Sequence, residues 1–356
     1  MNPSDLLSRF CTRALAAGAL WLGASNAALA YHSVCVHTAA ELQQALTDAS
    51  DGGMHNGEDN IIGVAAGTYQ TGAATSHGPF FFNSTAAHYL EVEGYDNDTC
   101  EDTAKPKAGL AILDGDNKTG VLTLRSVNGS LSVVDLVLQN GESDEPGAGA
   151  QINYLVTVGA PASLYRNIIR NNHSTVDAGG LYSSGAGTGL SLVTGNVIYG
   201  NSADGQYGAG YITGYGAYNE QFNNTITQNT SAAPSGPVGG LACGGSTSCI
   251  MVNNIFWNNT GCGLDLIGTS AFLDDNDYGT LCGNPPADNV GHRSTAPKFV
   301  DSANDDFHLS GDSPLLGVGS PEGYLLDTDG NEFPESGKSD VGAYSETIFD
   351  DGFDGD

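Results

Sequence analysis

A six-residue signature recurs through the middle of the chain, and its spacing restricts the fold more than any other feature. It reads NIIRNN from Asn167, NVIYGN from Asn196, NTITQN from Asn224 and NIFWNN from Asn254, with a degenerate DLVLQN from Asp135. Successive copies begin 32, 29, 28 and 30 residues apart. Repeats of this length are typical of stacked structural units, each of which is stable only against its neighbours.

The residue types within the repeat favour strands over helices. Short β-branched runs alternate with Gly and Asn turns, which would interrupt a helical repeat. We therefore predict an all-β fold, a single right-handed parallel β-helix (a solenoid) with a short N-terminal capping helix. A second marker, a Gly followed by Leu or Tyr, keeps nearly the same step at Gly180, Gly210 and Gly240.

Stacking of the coils places equivalent residues of the signature above one another. The third position predicts an apolar column inside the solenoid, formed by Val137, Ile169, Ile198, Ile226 and Phe256. The sixth position predicts a column of Asn, a residue that tolerates left-handed backbone and can hydrogen-bond its counterparts on adjacent coils. That column consists of Asn140, Asn172, Asn201, Asn229 and Asn259.

The predicted helix spans residues 38–50, TAAELQQALTDAS. Its apolar residues recur on one face, and Thr38 with Glu41 fits a capping box. The remaining predicted boundaries are a signal peptide at 1–30, one β-helix domain at 31–346 and an acidic tail at 347–356. Within the domain we expect regular coils at 131–270 and irregular C-terminal coils at 271–346.

The N-terminal segment predicts export. It has a weakly basic start (Arg9 and Arg13), a short apolar stretch and an A-x-A cleavage site at Ala28 to Ala30. No later stretch approaches the roughly 18 apolar residues that a membrane-spanning helix needs, so we expect no transmembrane segment after cleavage. The expected location is extracellular, or at the cell surface or periplasm of a bacterium.

The cysteine count agrees with an oxidising compartment. The chain has 7 Cys, and removal of Cys11 with the signal peptide leaves an even number, which favours disulfides in an exported protein. Six cysteines allow 15 pairings. We expect nearest neighbours to pair, giving Cys35–Cys100, Cys243–Cys249 and Cys262–Cys282. A zinc cluster is the alternative, but the closely spaced Cys pairs with nearby His that it needs are absent from the sequence.

The net charge restricts the partners. The chain carries 41 Asp and Glu against 11 Lys and Arg, a formal net charge of −30. Such a surface repels nucleic acid and anionic lipid, so we expect neither as a partner. We expect a monomer.

The run from IIGVAAGTY (61–69) through LAILDGD (110–116) into the Asn-marked coils resembles the pectin-lyase-like β-helix superfamily. The FWNN at 256–259 is similar to the repeats of polymorphic outer-membrane proteins. The block from Pro297 to Glu346 resembles the end of bacterial surface β-helix proteins with variable anchors, although Gly317 and Glu332 stand near positions where that pattern has an Asp and an Arg. The resemblance implies export and association with a surface or a polysaccharide, so the expected partner is an extracellular polysaccharide or a surface glycan.

Members of that superfamily include lyases of uronic-acid polysaccharides, which use a basic side chain together with a cation such as Ca²⁺. The candidate catalytic residues are Arg166, Arg170 and His173. If their strand runs straight, Arg166 and Arg170 share one face. Because Ile169 is expected to point inward, its neighbour Arg170 is expected to point outward. The candidate substrate-binding residues Arg170, Tyr199 and Trp257 would then form an outward row that can stack on and pair with a sugar chain.

Asp-rich loops supply candidate Ca²⁺ ligands at Asp177, Asp274, Asp275 and Asp277, although Asp also simply forms turns. We expect no required cofactor, with Ca²⁺ as the possible ion. Three functions remain open from the sequence. The first is a secreted or cell-surface β-helix that binds polysaccharide without a catalytic centre; the others are a Ca²⁺-dependent polysaccharide lyase and a purely adhesive or structural surface protein.

Overall fold

The fold is known from a computed structural model. It describes residues 31–74, 78–101, 109–156, 161–187, 190–215, 218–245, 248–283, 286, 289–321, 326–334 and 337–346. The signal peptide predicted at 1–30 and the acidic tail predicted at 347–356 lie outside the described residues. The described chain from Tyr31 onward forms a parallel β-solenoid, so the predicted all-β fold is confirmed.

Three long parallel sheets run along the solenoid, with strands numbered in chain order. Sheet A contains β1 (Tyr31–Val36), β2 (Asp59–Val64), β5 (Leu90–Gly94), β8 (Leu131–Val134), β12 (Pro161–Tyr165), β16 (Leu190–Thr194), β20 (Tyr218–Phe222), β24 (Ser248–Val252), β27 (Ala271–Asp274) and β30 (Asn289–Val290). Sheet B contains β3 (Gly67–Gln70), β6 (Ala111–Asp114), β9 (Leu136–Gln139), β13 (Ile168–Arg170), β17 (Val197–Tyr199), β21 (Thr225–Thr227), β25 (Ile255–Trp257) and β28 (Asp277–Tyr278).

Sheet C contains β4 (Phe80–Ser84), β7 (Leu122–Ser126), β11 (Ala150–Val156), β15 (Leu181–Gly187), β19 (Gly210–Tyr215), β23 (Leu241–Gly244), β26 (Leu264–Ile267) and β29 (Leu281–Gly283). A short sheet D contains β10 (Glu142–Ser143), β14 (His173–Ser174), β18 (Ser202–Ala203) and β22 (Thr230–Ser231). Two further strands, β31 (Phe299–Asp301) and β32 (Asp306–Leu309), pair antiparallel. Between them lies a 3₁₀ turn at Ser302–Asn304.

The predicted capping helix is confirmed as α1 (Ala39–Ala49), and a second, four-residue helix, α2, spans Thr71–Ala74. Thr38 and Glu41 form the expected capping box, in which each side chain accepts a hydrogen bond from the other residue's N–H, at 3.2 and 3.1 Å. Leu42 and Leu46 are fully buried in the main core cluster. The helix therefore packs its apolar face against the first coils of the solenoid.

The predicted interior column is confirmed on four of its five coils. Ile169, Ile198, Ile226 and Phe256 pair in register and are buried. Val137 does not belong to the column: it pairs with Ile168, and Leu138 lies next to Ile169 instead. The degenerate signature at 135–140 is thus displaced by one residue relative to the other copies.

The predicted Asn column forms a hydrogen-bonded ladder. The backbone N–H and the side-chain amide of each Asn donate to the Oδ1 of the next one, at 2.9–3.1 Å. Each side-chain amide also donates to a backbone carbonyl of the preceding coil. The members of this ladder are Asn172, Asn201, Asn229 and Asn259. Asn140 is not a member, because the N–H of Gly141 makes the bond to Asn172.

A second Asn ladder runs along the other corner of the coil. Its members occupy the first position of the signature and are bonded in the same manner at 2.8–3.1 Å. They are Asn167, Asn196, Asn224, Asn254 and Asn276. The residue that precedes a ladder Asn adopts left-handed backbone, as at Asn171 (φ 54°) and Asn223 (φ 51°). Asn140 (φ 54°) occupies such a corner position, which explains its exclusion from the ladder.

The irregular coils predicted at 271–346 end at β30. The following segment folds back over the outer face of sheet B, and we call its residues 297–321, 326–334 and 337–346 the cover. Phe307, Ala343 and Tyr344 pack against Val197 and Tyr199. Leu309, Leu315 and Val341 pack against Ile255 in a second apolar cluster.

Polar contacts also attach the cover to the coils. The hydroxyl of Thr328 donates to the carbonyl of Gly195 at 2.9 Å, and the N–H of Ala343 donates to Thr225 Oγ1 at 3.0 Å. Within the cover, His308 bridges Asp306 and Asp329, with N···O distances of 2.7 and 2.9 Å. Hydrogen bonds to Asp329 and then Asp306 outweigh desolvation and raise the pKa of His308 to about 9.

All three expected disulfides are present, with Cα–Cα distances of 5.7 Å for Cys35–Cys100, 6.4 Å for Cys243–Cys249 and 5.9 Å for Cys262–Cys282. Cys243 and Cys249 are fully buried in the core, so their bond joins sheets C and A inside the coil. None of the helices in the described ranges has the length and apolar character needed to cross a membrane.

Replacing Asn201 by Ala tests the ladder. The variant loses the acceptor of the Asn172 N–H and the donor to the Ile169 carbonyl, both of which are buried. Each unsatisfied buried group costs about 1–3 kcal/mol, so we expect a loss of roughly 2–5 kcal/mol in the free energy of unfolding, measured by denaturant titration. Asn259→Ala is the matched control: Asn259 is half-buried at the ladder's end, so a smaller loss is expected, and an equal loss would contradict this account.

The pH dependence of stability tests the attachment of the cover. Because the folded pKa of His308 lies above the ordinary value of 6.5, its contribution is complete below pH 6.5 and is lost as the pH rises through about 9. We expect faster proteolysis of the cover in the wild type as pH rises over this window, and a much flatter profile for His308→Gln. His88→Gln, on a half-exposed histidine away from the cover, should retain the wild-type profile.

Candidate functional site

Arg166 is a structural residue rather than an exposed base. It lies at a left-handed corner (φ 55°) before β13, so it does not share a strand face with Arg170, and that prediction is wrong. Arg166 is 3% exposed, and its guanidinium forms a bidentate ion pair with Asp135, with an Nε···Oδ1 distance of 2.8 Å. Burial raises the pKa of Asp135 to about 6 although Arg166 opposes the shift.

Arg170 points outward from sheet B, as predicted, but neighbouring coils hold it. Its guanidinium donates to Gln139 Oε1 at 2.7 and 2.9 Å and to the Tyr199 hydroxyl at 3.0 Å. Tyr199 is only 4% exposed, and its ring lies 4.8 Å from that of Phe307. The cover therefore occupies the sugar-binding face predicted at Tyr199.

Trp257 lies two strands beyond Tyr199 on the predicted outward row, since Arg170, Tyr199, Thr227 and Trp257 pair in succession. His173 lies apart from this row. Trp257 is half-buried against the apolar cluster of the cover, and it borders a small hollow of about 230 Å³ beside Asn259. His173 lies on sheet D, where its Nδ1 is 2.9 Å from Ser202 Oγ. The five residues predicted to bind or act on substrate thus do not form one site.

The predicted Ca²⁺ ligands are also dispersed or already paired. Asp177 accepts a hydrogen bond from the N–H of Gln206 at 2.6 Å, 29 residues along the chain, so its carboxylate joins two neighbouring coils. Asp275 pairs with Arg293 at 3.0 Å, and Lys338 lies 3.6 Å away. The Arg293 and Lys338 side chains therefore occupy the space beside the Asp275 carboxylate that a bound metal ion would need.

The other two predicted ligands belong to the packing of the last coils. Asp274 accepts a hydrogen bond from the Ser320 hydroxyl at 3.2 Å. Asp277 is fully buried and accepts a bond from the Thr295 N–H at 2.9 Å, and burial raises its pKa to about 6. Across the part of the chain that the structure describes, the group of residues that could hold a metal ion is His32, His55 and Glu58, which was not predicted.

Sheet C presents a row of aromatic side chains on its outer face. The aromatic row, as we define it, consists of Phe81, Tyr182, Tyr207 and Tyr211. Alternation along the strands turns Tyr182 and Tyr211 outward, because the adjacent Leu181 and Ile212 are buried in the core. Tyr207 lies in the turn before β19. The rings of Tyr182 and Tyr211 are 6.2 Å apart, and Tyr207 stacks on Tyr211 at 4.8 Å.

The row follows the axis of the solenoid. Phe81, Thr123, Gln151, Tyr182 and Tyr211 pair in succession across five strands. Four steps of about 4.8 Å give the row a length of roughly 19 Å. It therefore suits an extended ligand that lies along the axis.

Hydrogen-bonding groups border the aromatic row. The Arg125 guanidinium lies 5.6 Å from the centre of the Phe81 ring and donates to Gln151 Oε1 at 3.2 Å. Beside them a cleft of about 550 Å³ opens toward sheet D, lined in part by Lys118, Arg125, Glu142, Asp144 and Glu145. With two cations and three carboxylates, the cleft has no excess of positive charge.

Tyr207 is a neutral hydrogen-bond donor over the physiological pH range. Burial, and then the neighbouring Tyr211, raise the pKa of Tyr207 to about 12. Burial also raises the pKa of Asp265, which follows Tyr211 and Ala242 along the same outward column. The face thus combines aromatic rings with hydroxyl, amide and guanidinium donors.

The sequence carried only a weak signal for this row. Tyr211 follows the Gly210 marker, but Tyr182 is one residue further from its own marker, Gly180, so the two do not align in the sequence. They become neighbours because the coils pair Leu181 with Gly210.

No protein-family model matches the chain, and no curated protein matches its sequence. The site's own geometry is therefore the basis for assigning a function.

Proposed function

We propose that this protein is an exported β-helix that binds a neutral extracellular polysaccharide along the aromatic row of sheet C. The observation that carries the proposal is the alignment of Phe81, Tyr182 and Tyr211 along the axis of an outer face. Hexose rings offer C–H groups on their faces and hydroxyls at their edges, which suit aromatic faces bordered by polar donors. The three disulfides support folding in an oxidising compartment.

Charge favours a neutral ligand over an acidic one. The formal net charge of −30 repels a polyanion at long range, and the carboxylates of the cleft offset its two cations. Arg125 lies against Phe81 and is bound to Gln151, so it serves as a hydrogen-bond donor at the edge of a ring. Binding of this kind has little dependence on ionic strength.

Tyr211→Ala tests the proposal against a panel of neutral polysaccharides by affinity electrophoresis. Loss of one stacking ring should weaken retention by about tenfold, which corresponds to about 1.4 kcal/mol. Tyr218→Ala is the matched control, because Tyr218 is a 45% exposed tyrosine on sheet A. Equal weakening by both variants, or no retention of the wild type by any neutral polysaccharide, would overturn the proposal.

A cleavage assay distinguishes binding from the lyase alternative. The proposal expects no increase in the absorbance of unsaturated uronate products when wild-type protein is incubated with pectate or alginate and Ca²⁺. An increase that Arg170→Ala abolishes would replace the binding function with a lyase centred on sheet B.

If binding to neutral polysaccharide survives 0.5 M salt while binding to pectate does not, the ligand class is confirmed as neutral.

A further inference from the structure

Two histidines and a glutamate meet at the first coil, distant in sequence from the aromatic row. His32 lies on β1, the edge strand of sheet A, whereas His55 and Glu58 belong to the turn that follows α1. All three side chains are half-buried. Each offers a ligand atom, and these atoms lie within 4.8 Å of one another.

The spacing of these atoms is close to that of metal ligands. His55 Nδ1 and Glu58 Oε2 are 3.1 Å apart. Two ligands at about 2.0–2.1 Å from a tetrahedral zinc ion are separated by about 3.3 Å, so an ion fits between them after a small shift. The rings of His32 and His55 are stacked with centroids 3.6 Å apart and planes at 7°, so a ring nitrogen of His32 lies within 4.8 Å of the ligand atoms of His55 and Glu58.

The backbone that carries these ligands is already fixed. Asn60, which is 4% exposed, donates its side-chain amide to the carbonyls of both His55 and Glu58, at 3.1 and 2.7 Å. It also pairs with His32 across strands β1 and β2. The N–H of His55 donates to the Asp48 carbonyl of α1 at 2.8 Å. The buried amide of Asn60 thus fixes the backbone of His55 and Glu58, and strand pairing places His32 beside it, as supporting groups of metal sites do.

We propose that His32, His55 and Glu58 bind a divalent ion of the zinc type, with water completing the coordination. Two imidazoles and one carboxylate form a ligand set that suits Zn²⁺ and Cu²⁺ far better than Ca²⁺, which prefers six to eight oxygens. The partial exposure of the three side chains leaves a path for the ion and for water. The bound ion ties the edge strand β1 to the turn after α1.

Titration calorimetry with ZnCl₂ tests the site on tag-free full-chain protein that has been treated with EDTA and dialysed. We expect one Zn²⁺ per chain and an increase in the melting temperature with Zn²⁺ concentration, because the ion binds only the folded state. His32→Ala, His55→Ala and Glu58→Gln should each weaken binding by tenfold or more. Melting temperatures measured in EDTA show whether each variant retains the fold without the ion.

His88→Ala is the matched control, because His88 is half-exposed and lies 3.7 Å from Asp59, the residue after Glu58, but outside the three-residue group. It should bind Zn²⁺ as the wild type does. The proposal is overturned if the wild type takes up no Zn²⁺ at a ratio of one to one, or if all three ligand variants bind it with wild-type affinity. Polysaccharide retention is measured in EDTA as well, so failure of the zinc site leaves the function proposed for sheet C unaffected.

Discussion

The hydrogen bonds of the two Asn ladders hold the corners of every regular coil. Each coil turns a corner at a single residue, which has left-handed backbone. The backbone N–H and C=O groups that lose their partners at that bend are buried and need others. The Asn that follows each bend satisfies them. Its side-chain amide donates to a carbonyl of the preceding coil, and its Oδ1 accepts from the N–H of the Asn on that same coil. Its own N–H donates to the Oδ1 of the Asn on the following coil. Because each Asn bonds the next, the ladders also fix the register of all three long sheets.

That register determines which outer face is available to a ligand. On sheet B, the cover uses the apolar outward residues as its own packing surface, so Tyr199 became part of a hydrophobic cluster. On sheet C, the same stacking aligns Tyr182 with Tyr211 and leaves them accessible. The position of the functional face therefore depends on where the C-terminal segment folds as much as on the coils.

The repeat was sufficient to predict the fold and the Asn172–Asn259 ladder. The apolar face with its capping box predicted the helix, and nearest-neighbour pairing predicted the disulfides. It failed where the coil length varies. Gly180, Gly210 and Gly240 are evenly spaced, yet the strands pair Leu181 with Gly210 and Gly210 with Leu241. These two successive coils therefore differ in length by two residues. The roles of Arg166 and Tyr199 depend on Asp135 and Phe307, which are 31 and 108 residues away, and no local pattern contains such contacts.

The cover also changes how the solenoid responds to load. In a stack where each coil contacts only its neighbours, coils can peel away one at a time from an end. Here the cover bonds Tyr165, Gly195, Thr225 and Asn253, which belong to four successive coils. Those coils can separate only together with the cover, so a pull on either end meets one mechanically cooperative block in the middle of the molecule.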